Sequence, residues 1–117
     1  SFDPAPIEEI KERFGDAATA LLEKLIATYL DNSAKLIGTL EEALAAHDAT
    51  RVFQAAHTLK SSSANIGAMR LSNLCMELEA AGRAGRHEGL AVGIDAVRQE
   101  FDVASVFLRR LREGLQA

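Results

Sequence analysis

Residues 90–115 have the sequence LAVGIDAVRQEFDVASVFLRRLREGL, and the spacing of their apolar side chains is the strongest periodic pattern in the chain. Steps of four and three residues separate the successive members of this pattern, which are Leu90, Ile94, Val97, Phe101, Ala104, Leu108, Leu111 and Leu115. On an α-helix this spacing places every member on one face. The stretch therefore predicts a long helix that packs lengthwise against other helices.

Two apolar patterns at helical spacing begin the chain. The first covers residues 5–14 with Pro6 in its first turn, and Gly15 is expected to end it. The second predicts a helix of about thirty residues, for which Asp16 is the expected N-cap. The two apolar ridges of this helix are Leu22, Leu25, Tyr29, Leu36 and Leu40, and Ile26, Leu30, Ile37 and Leu44.

Two more helices are predicted before residue 90. Asp48 is a suitable N-cap for a helix that continues to about residue 64, and Gly67 is expected to stop it in the left-handed conformation. The next helix has an apolar face formed by Leu71, Leu74, Cys75, Leu78 and Ala81. The loop expected after it contains Gly82, Gly85 and Gly89.

The composition supports a fully helical chain. Both prolines, Pro4 and Pro6, lie at the start, so no later helix needs a break. Ala, Leu, Glu, Lys, Arg and Gln dominate, which is typical of helices. Amphipathic helices joined by short turns bury their apolar faces by packing side by side. We therefore expect an all-α fold, an antiparallel up-down-up-down four-helix bundle with a short N-terminal capping helix, forming one domain over residues 1–117.

Charge and cysteine content exclude several classes of function. Thirteen Lys and Arg against seventeen Asp and Glu give a net charge of -4 without a basic run, so nucleic-acid binding is not expected. Cys75 is the only cysteine, which excludes an internal disulfide and fits a reducing compartment. No apolar run approaches the roughly twenty residues that span a bilayer. We expect a cytoplasmic, monomeric domain without direct membrane contact.

The segment FQAAHTLKSSSANIGA, residues 53–68, contains the candidate functional residues. On a helical wheel its core-facing positions, together with the preceding valine, are Val52, Ala56, Leu59 and Ser63. Beside this core stripe lies one patch, which consists of His57, Lys60, Ser61 and Ala64 and is bordered by Phe53 and Gln54. The pattern predicts an imidazole that faces water with an ammonium group one turn further along.

Phosphoryl transfer to histidine requires a neutral ring with a free nitrogen lone pair and nearby positive charge. An unperturbed histidine has a pKa near ~6.5, so much of it is neutral at cytoplasmic pH. Lys60, three residues after His57, can reach the phosphoryl oxygens, and the small Ser61 and Ala64 leave room for a partner protein. A histidine and a lysine at this spacing are more often ordinary surface residues, so the spacing alone does not decide the function.

The run His57-Thr58-Leu59-Lys60-Ser61-Ser62-Ser63-Ala64-Asn65-Ile66-Gly67-Ala68, followed by Leu71, Leu74-Cys75 and Leu78-Glu79, resembles the histidine-containing phosphotransfer (HPt) domain family of multistep two-component phosphorelays. The hallmark of that family is His-x-Leu-Lys-Gly on the second bundle helix. The resemblance implies that His57 is the phosphoacceptor through Nε2 and that Lys60 steadies the bound phosphoryl group. One departure is Ser61, which stands where the family usually has glycine and whose hydroxyl can bond the His57 carbonyl or contact the phosphoryl group.

The resemblance also implies partners. In the family, the phosphoryl group comes from an aspartyl phosphate on one receiver domain and passes to an aspartate on another. Response-regulator receiver domains are therefore the expected partners, with docking at Phe53, Gln54, Ser61 and Ala64. We expect no cofactor on this chain, a Mg²⁺ ion on the receiver, and no ATP-dependent kinase activity, because the sequence has no nucleotide-binding motif. The start at Ser1 favours a C-terminal module of a hybrid sensor kinase tethered to the inner membrane.

Two other functions stay open at this point. One is the dimerisation and phosphoacceptor domain of a histidine kinase, in which an acidic residue usually follows the histidine directly and a proline comes soon after. Here Thr58 and Leu59 follow, and no proline appears. The other is a helical bundle that binds a partner without chemistry.

The remaining chemically active side chains receive structural interpretations. His47 and His87 lie at predicted helix ends and are interpreted as surface residues. Cys75 falls on an apolar face and is assigned to the core. No glutamate is followed by histidine three residues later, so a metal site inside the bundle is not expected. Arg83 and Arg86 are assigned to a solvated turn without a functional role.

Overall fold

The computed structural model describes residues 2–116, and every regular element in this range is helical. The elements are α1 (Ala5–Phe14), a 3-10 turn (Gly15–Ala17), α2 (Ala18–Ala45), α3 (Ala49–Ile66), α4 (Met69–Arg83) and α5 (Leu90–Gln116). The predicted all-α fold is confirmed. None of these helices combines the length and the hydropathy needed to cross a bilayer.

Several helix ends form where local sequence predicts them. Gly15 follows α1 with a φ of 52°, and Gly67 follows α3 with a φ of 94°. Residues other than glycine rarely adopt such positive φ angles. At the start of α3 the Asp48 carboxylate accepts a hydrogen bond from the backbone N–H of Arg51 at 3.1 Å. This bond satisfies one of the unpaired N–H groups of the first turn. The predicted ends at Gly15 and Gly67 and the cap at Asp48 are confirmed.

Three local predictions were wrong. Asp16 does not cap α2, because Gly15–Ala17 forms a 3-10 turn that runs directly into the helix, and the side chain of its N-cap residue, Ala17, makes no capping bond. Leu25 is exposed, because Ile26, about 100° further round α2, is the residue that enters the core. Gly82 does not belong to a loop but lies buried within α4.

The four long helices pack as a ring. α2 lies against α3 and α5, and α4 also lies against α3 and α5, whereas within residues 2–116 the backbones of the diagonal pairs do not approach each other closely. Successive helices reverse direction through short connections, which gives the predicted antiparallel up-down-up-down bundle. The bundle is 47 Å long, which is close to the length of its longest helix, and it is 19 Å across.

The short helix α1 covers one end of this ring. Because α2 and α5 are longer than α3 and α4, their ends extend beyond the four-helix region. Ile7 of α1 buries its side chain there with Ala18 and Leu22 of α2, and Leu111 and Leu115 of α5 pack against this cluster. The predicted capping helix is confirmed.

The main core contains few polar groups. Its fully buried apolar side chains include Ile26, Leu40, Val52, Leu59, Leu71, Val97 and Leu108. The hydroxyls of Tyr29 on α2 and Ser63 on α3 form a buried hydrogen bond of 2.7 Å. Cys75 is also in this core, and burial raises the pKa of its thiol to about 12. The thiol is therefore protonated and unreactive at neutral pH, which confirms the core assignment.

The N-terminal segment is attached to the turn between α3 and α4. The backbone N–H of Asp3 donates to the Gly67 carbonyl at 2.8 Å, and the ring of Phe2 packs on Phe107 of α5 at 4.4 Å between centroids. A Cβ atom at Gly67 would lie 2.1 Å from the Asp3 carbonyl oxygen. Gly67 is thus required both for its φ angle and for this close approach.

Gly82 provides the first test of the packing. A Cβ atom there would meet the Phe53 nitrogen at 2.9 Å and the Ala49 oxygen at 3.0 Å, both of them backbone atoms of α3. We expect Gly82→Ala to lower the free energy of unfolding by about 1–3 kcal/mol, because α3 and α4 must separate. The matched control is Gly38→Ala in α2, where a Cβ meets nothing within 4 Å. This control should raise stability by up to about 1 kcal/mol through helix propensity. Urea denaturation measures both, and equal stabilisation by the two substitutions would contradict the packing argument.

Candidate functional site

His57 projects outward from the middle of α3. Its side chain is 56% exposed, while Val52, Ala56, Leu59 and Ser63 on the same helix are buried in the core. This is the orientation that the helical wheel predicts. The imidazole is therefore accessible to a partner protein without any rearrangement of the bundle.

Glu79 of α4 fixes the orientation of this imidazole. The distance from His57 Nδ1 to Glu79 Oε1 is 2.9 Å, and the glutamate side chain is only 6% exposed. An ionised carboxylate is only an acceptor, so Nδ1 must be the donor of this hydrogen bond. The neutral ring then carries its proton on Nδ1 and has its lone pair on Nε2. In the neutral ring, the contact thus makes Nε2 the nitrogen that carries the lone pair and can act as the nucleophile.

Two cations contact the same carboxylate. Lys60 Nζ lies 2.7 Å from Glu79 Oε2 and 3.3 Å from Oε1, and Arg83 Nη2 lies 3.4 Å from Oε1. Hydrogen bonds from Lys60, and next from His57, lower the pKa of Glu79, although burial alone would raise it. Glu79 is therefore ionised at neutral pH, as the assigned position of the histidine proton requires.

Phe53 forms one wall of the site. Its ring stacks on the His57 imidazole with 6.1 Å between centroids, and the Arg83 guanidinium lies 4.9 Å from the centre of the same ring. Such a cation over an aromatic face is attracted by the ring quadrupole. Phe53 thereby restricts the imidazole on one side and keeps Arg83 close to the site.

The close packing of α3 on α4 makes this arrangement possible. Gly82 lets the backbone of α4 approach that of α3 at Phe53, one turn before His57. On the other side, the Ser72 hydroxyl of α4 donates to the Lys60 carbonyl at 2.9 Å. These contacts fix the register of the two helices, and this register places Glu79 between His57 and Lys60.

The structure brings together some of the predicted site residues and separates others. Phe53, His57 and Lys60 form one site with direct contacts to each other or to Glu79. The Ser61 hydroxyl donates to the His57 carbonyl at 3.3 Å, which is one of the two roles expected for it. Ala64 is half-buried, and the exposed Gln54 lines a groove between α2 and α3. The docking role of Phe53, Gln54, Ser61 and Ala64 stays a prediction.

Sequence reasoning gave no role to Glu79 and placed Arg83 in a solvated turn, yet both belong to the site. The available signal for Glu79 was an acidic residue on the apolar face of its helix, four positions after Cys75 and eight after Leu71. A carboxylate at such a position must find cationic or hydrogen-bonding partners. Arg83 follows Glu79 by one helical turn and contacts it.

The other two histidines lie apart from this site. His47 and His87 are exposed in the turns at one end of the bundle, and their rings meet edge to face with 5.8 Å between centroids. His47 has a positive φ of 54° in the turn that follows α2. Within residues 2–116, no group of three or more His, Cys, Asp and Glu side chains is arranged to bind a metal ion.

Comparison with known proteins identifies the family. Residues 24–116 match the model of the Hpt domain family. Histidine-containing phosphotransfer protein 4 of Arabidopsis thaliana is 30% identical over 111 residues, which cover 93% of this chain and 85% of that protein. The crystal structure of histidine-containing phosphotransfer protein B (HptB) from Pseudomonas aeruginosa PAO1 is similar with a TM-score of 0.86 at 27% identity, covering 96% of this chain and 94% of that one. The chain belongs to the Hpt domain family, and the resemblance is confirmed.

Family membership defines the general activity. Hpt family members act as histidine phosphotransfer intermediates in phosphorelays. They interact with receiver domains of response regulators and kinases. The helical bundle with an accessible histidine, described above, is the architecture expected for this activity.

Because Glu79 is ionised in the folded protein, we expect the free energy of unfolding to depend on pH in a specific way. Because the folded state lowers its pKa from the ordinary value of 4.5, its stabilising contribution is complete above that pH. The contribution is lost as pH falls through the folded pKa, since the unfolded chain binds the proton first. We expect Glu79→Gln to cost about 1–3 kcal/mol at neutral pH. Urea denaturation between about pH 7 and pH 3 should show this cost shrinking as the solution becomes acidic, whereas a constant difference would contradict the pairing.

Proposed function

We infer that His57 is the phosphoacceptor of a phosphorelay, which takes a phosphoryl group from an aspartyl phosphate on one receiver domain and passes it to an aspartate on another. The observation that carries the proposal is the exposed imidazole whose Nδ1 donates to the ionised Glu79. This bond leaves the Nε2 lone pair free for attack. Membership of the Hpt domain family supports the same reaction.

The accepting step requires no base from this chain. Nε2 uses its lone pair to form a bond to phosphorus, the phosphorus–oxygen bond to the receiver aspartate breaks, and that bond's electron pair returns to the carboxylate. The proton on Nδ1 does not move. The ring becomes cationic as it bonds to phosphorus, and the Glu79 carboxylate, 2.9 Å from Nδ1, stabilises that charge.

Lys60 is proposed to steady the phosphoryl group. Its ammonium lies on the same carboxylate as His57 and is partly exposed, so it can turn toward phosphoryl oxygens without breaking the helix. A lysine acts on phosphate as a mobile point charge. The Mg²⁺ ion that neutralises the phosphoryl group during transfer is expected on the receiver domain.

The proposed docking face is the outward side of α3 around His57. Phe53, Gln54, Ser61 and Ala64 surround the histidine there. Further along, α3 forms one side of a groove of about 300 Å³ with α1 and α2. Its lining includes the apolar Ile7, Ile10, Leu25 and Ile66 and the polar Ser62 and Asn65. This groove offers apolar contact area toward the C-terminal end of α3, and apolar contact area is what the core of a protein interface requires. Placement in a hybrid sensor kinase and the monomeric state stay predictions.

A labelling experiment tests the acceptor. We expect a ³²P-labelled receiver to label the wild type and not His57→Gln, and phosphoramidate, a chemical donor that needs no cognate receiver, to phosphorylate His57 in the wild type. The matched control is His87→Gln, an exposed histidine in the loop before α5, which should accept label like the wild type. Label transferred from the receiver to His57→Gln, or a folded wild type in which neither donor phosphorylates His57, would refute the proposed function.

Lys60 is tested by the rate rather than by the extent of labelling. We expect Lys60→Ala to slow transfer from the receiver about tenfold or more, equivalent to about 1.4 kcal/mol of transition-state stabilisation. Lys60→Arg should retain more of the rate because it keeps the positive charge. Lys35→Ala, an exposed lysine on α2, is the matched control and should not change the rate. Equal rates for Lys60→Ala and Lys35→Ala would show that Lys60 has only a structural role.

A further inference from the structure

The contact between His57 and Glu79 has a consequence for the release of the phosphoryl group. The two ring nitrogens point in different directions, so a group on Nε2 does not displace the carboxylate on Nδ1. Glu79 is buried, and the close packing of α4 on α3 at Gly82 and Ser72 holds its carboxylate beside Nδ1. The hydrogen bond of 2.9 Å can therefore persist when the ring is phosphorylated.

We propose that Glu79 is a charged positioning residue that retains the Nδ1 proton on the phosphorylated His57 ring, so that the phosphoryl group leaves from a cationic imidazolium over the neutral and mildly alkaline pH range. This inference rests on the proposed phosphoacceptor role of His57. It assigns to Glu79 an effect on the second transfer of the relay, in addition to its effect on the orientation of the free ring.

The chemical balance shows why the proton matters. When the nitrogen–phosphorus bond breaks, its electron pair returns to Nε2, and the accepting oxygen, from a receiver aspartate or from water, forms the new bond to phosphorus. If Nδ1 keeps its proton, the leaving group is a neutral imidazole. If Nδ1 has lost its proton, the leaving group is an imidazolate anion, which is a far stronger base and leaves much more slowly. Protonation of Nδ1 therefore determines how rapidly the phosphohistidine can donate.

The charges around the ring favour the protonated form. Among residues 2–116 the charged groups that contact this site are Glu79 and Arg83 on α4 and Lys60 on α3, and neither α2 nor α5 contributes one. In the free protein the two cations partly neutralise Glu79. The arriving phosphoryl group is an anion that attracts both cations, and Arg83, with its side chain 68% exposed beside Phe53, can move. The Glu79 carboxylate then faces the imidazolium with less competition.

Glu79→Gln separates charge from orientation. The glutamine carbonyl can still accept the hydrogen bond from Nδ1, so the ring keeps its orientation, but the negative charge is gone. Glu100→Gln is the matched control, because Glu100 pairs with Arg70 between α5 and α4 and does not contact His57. A purely structural role for Glu79 would change stability without changing the pH profile of phosphoryl release.

The experiment follows phosphoryl loss from protein phosphorylated with phosphoramidate, by ³¹P NMR from pH 6 to pH 9 without a receiver. We expect the wild type and Glu100→Gln to retain their rate of phosphoryl loss up to a higher pH than Glu79→Gln does. For Glu79→Gln we expect the loss of rate to begin about one pH unit lower, with release about tenfold slower near the alkaline end. The ¹⁵N shift of Nδ1 should report loss of the ring proton at the same lower pH.

Each outcome separates the two proposals. If the wild type accepts phosphoryl but Glu79→Gln has the same pH profile and the same Nδ1 shift, the charge of Glu79 has no part in release and only this inference fails. If the folded wild type accepts no phosphoryl group, the proposed function fails and takes the inference with it. Should Glu79→Gln not fold, wild-type phosphoprotein compared with the same sample unfolded in urea gives the answer, because unfolding also removes Glu79 from the ring. Proton loss at the same pH in both samples would overturn the inference.

Discussion

The buried carboxylate of Glu79 imposes the constraint on which the site depends. An anion with so little exposure to water is costly unless positive or hydrogen-bonding groups surround it. Lys60, His57 and Arg83 provide those groups, and they come from two different helices. The requirement that stabilises the packing of α3 on α4 therefore also fixes which ring nitrogen of the exposed imidazole donates a hydrogen bond. The same hydrogen bonds to Glu79 therefore hold the two helices together and orient the imidazole.

Much of the fold is predictable from sequence because its causes are local or periodic. The apolar spacing over residues 90–115 predicts α5, and Asp48 and Gly67 predict the ends of α3. The outward position of His57 follows from the helical wheel alone, because Val52 and Leu59 fix the buried side. Asp16 shows the limit of such reasoning, since a 3-10 turn continuous with α2 competes with a side-chain cap.

The remaining part of the site depends on contacts between helices, and spacing within one helix does not reveal them. Glu79 and Arg83 join the site only because α4 lies against α3 in one particular register. The position of Gly82 could not be predicted from the sequence either, because a glycine near a helix end is typical of a loop as well as of a close contact between helices. Its backbone neighbours on α3, Ala49 and Phe53, distinguish the two possibilities.

The unequal helix lengths divide the bundle into two regions that differ in cooperativity. At the α1 end only α2 and α5 continue, and a small separate cluster around Ile7, Ala18 and Leu22 closes the gap. So few buried side chains make this end a natural place for local opening. The region around His57, by contrast, lies where all four long helices are packed. Amide hydrogens of α1 can thus exchange with solvent through partial unfolding that leaves the imidazole and its carboxylate in place.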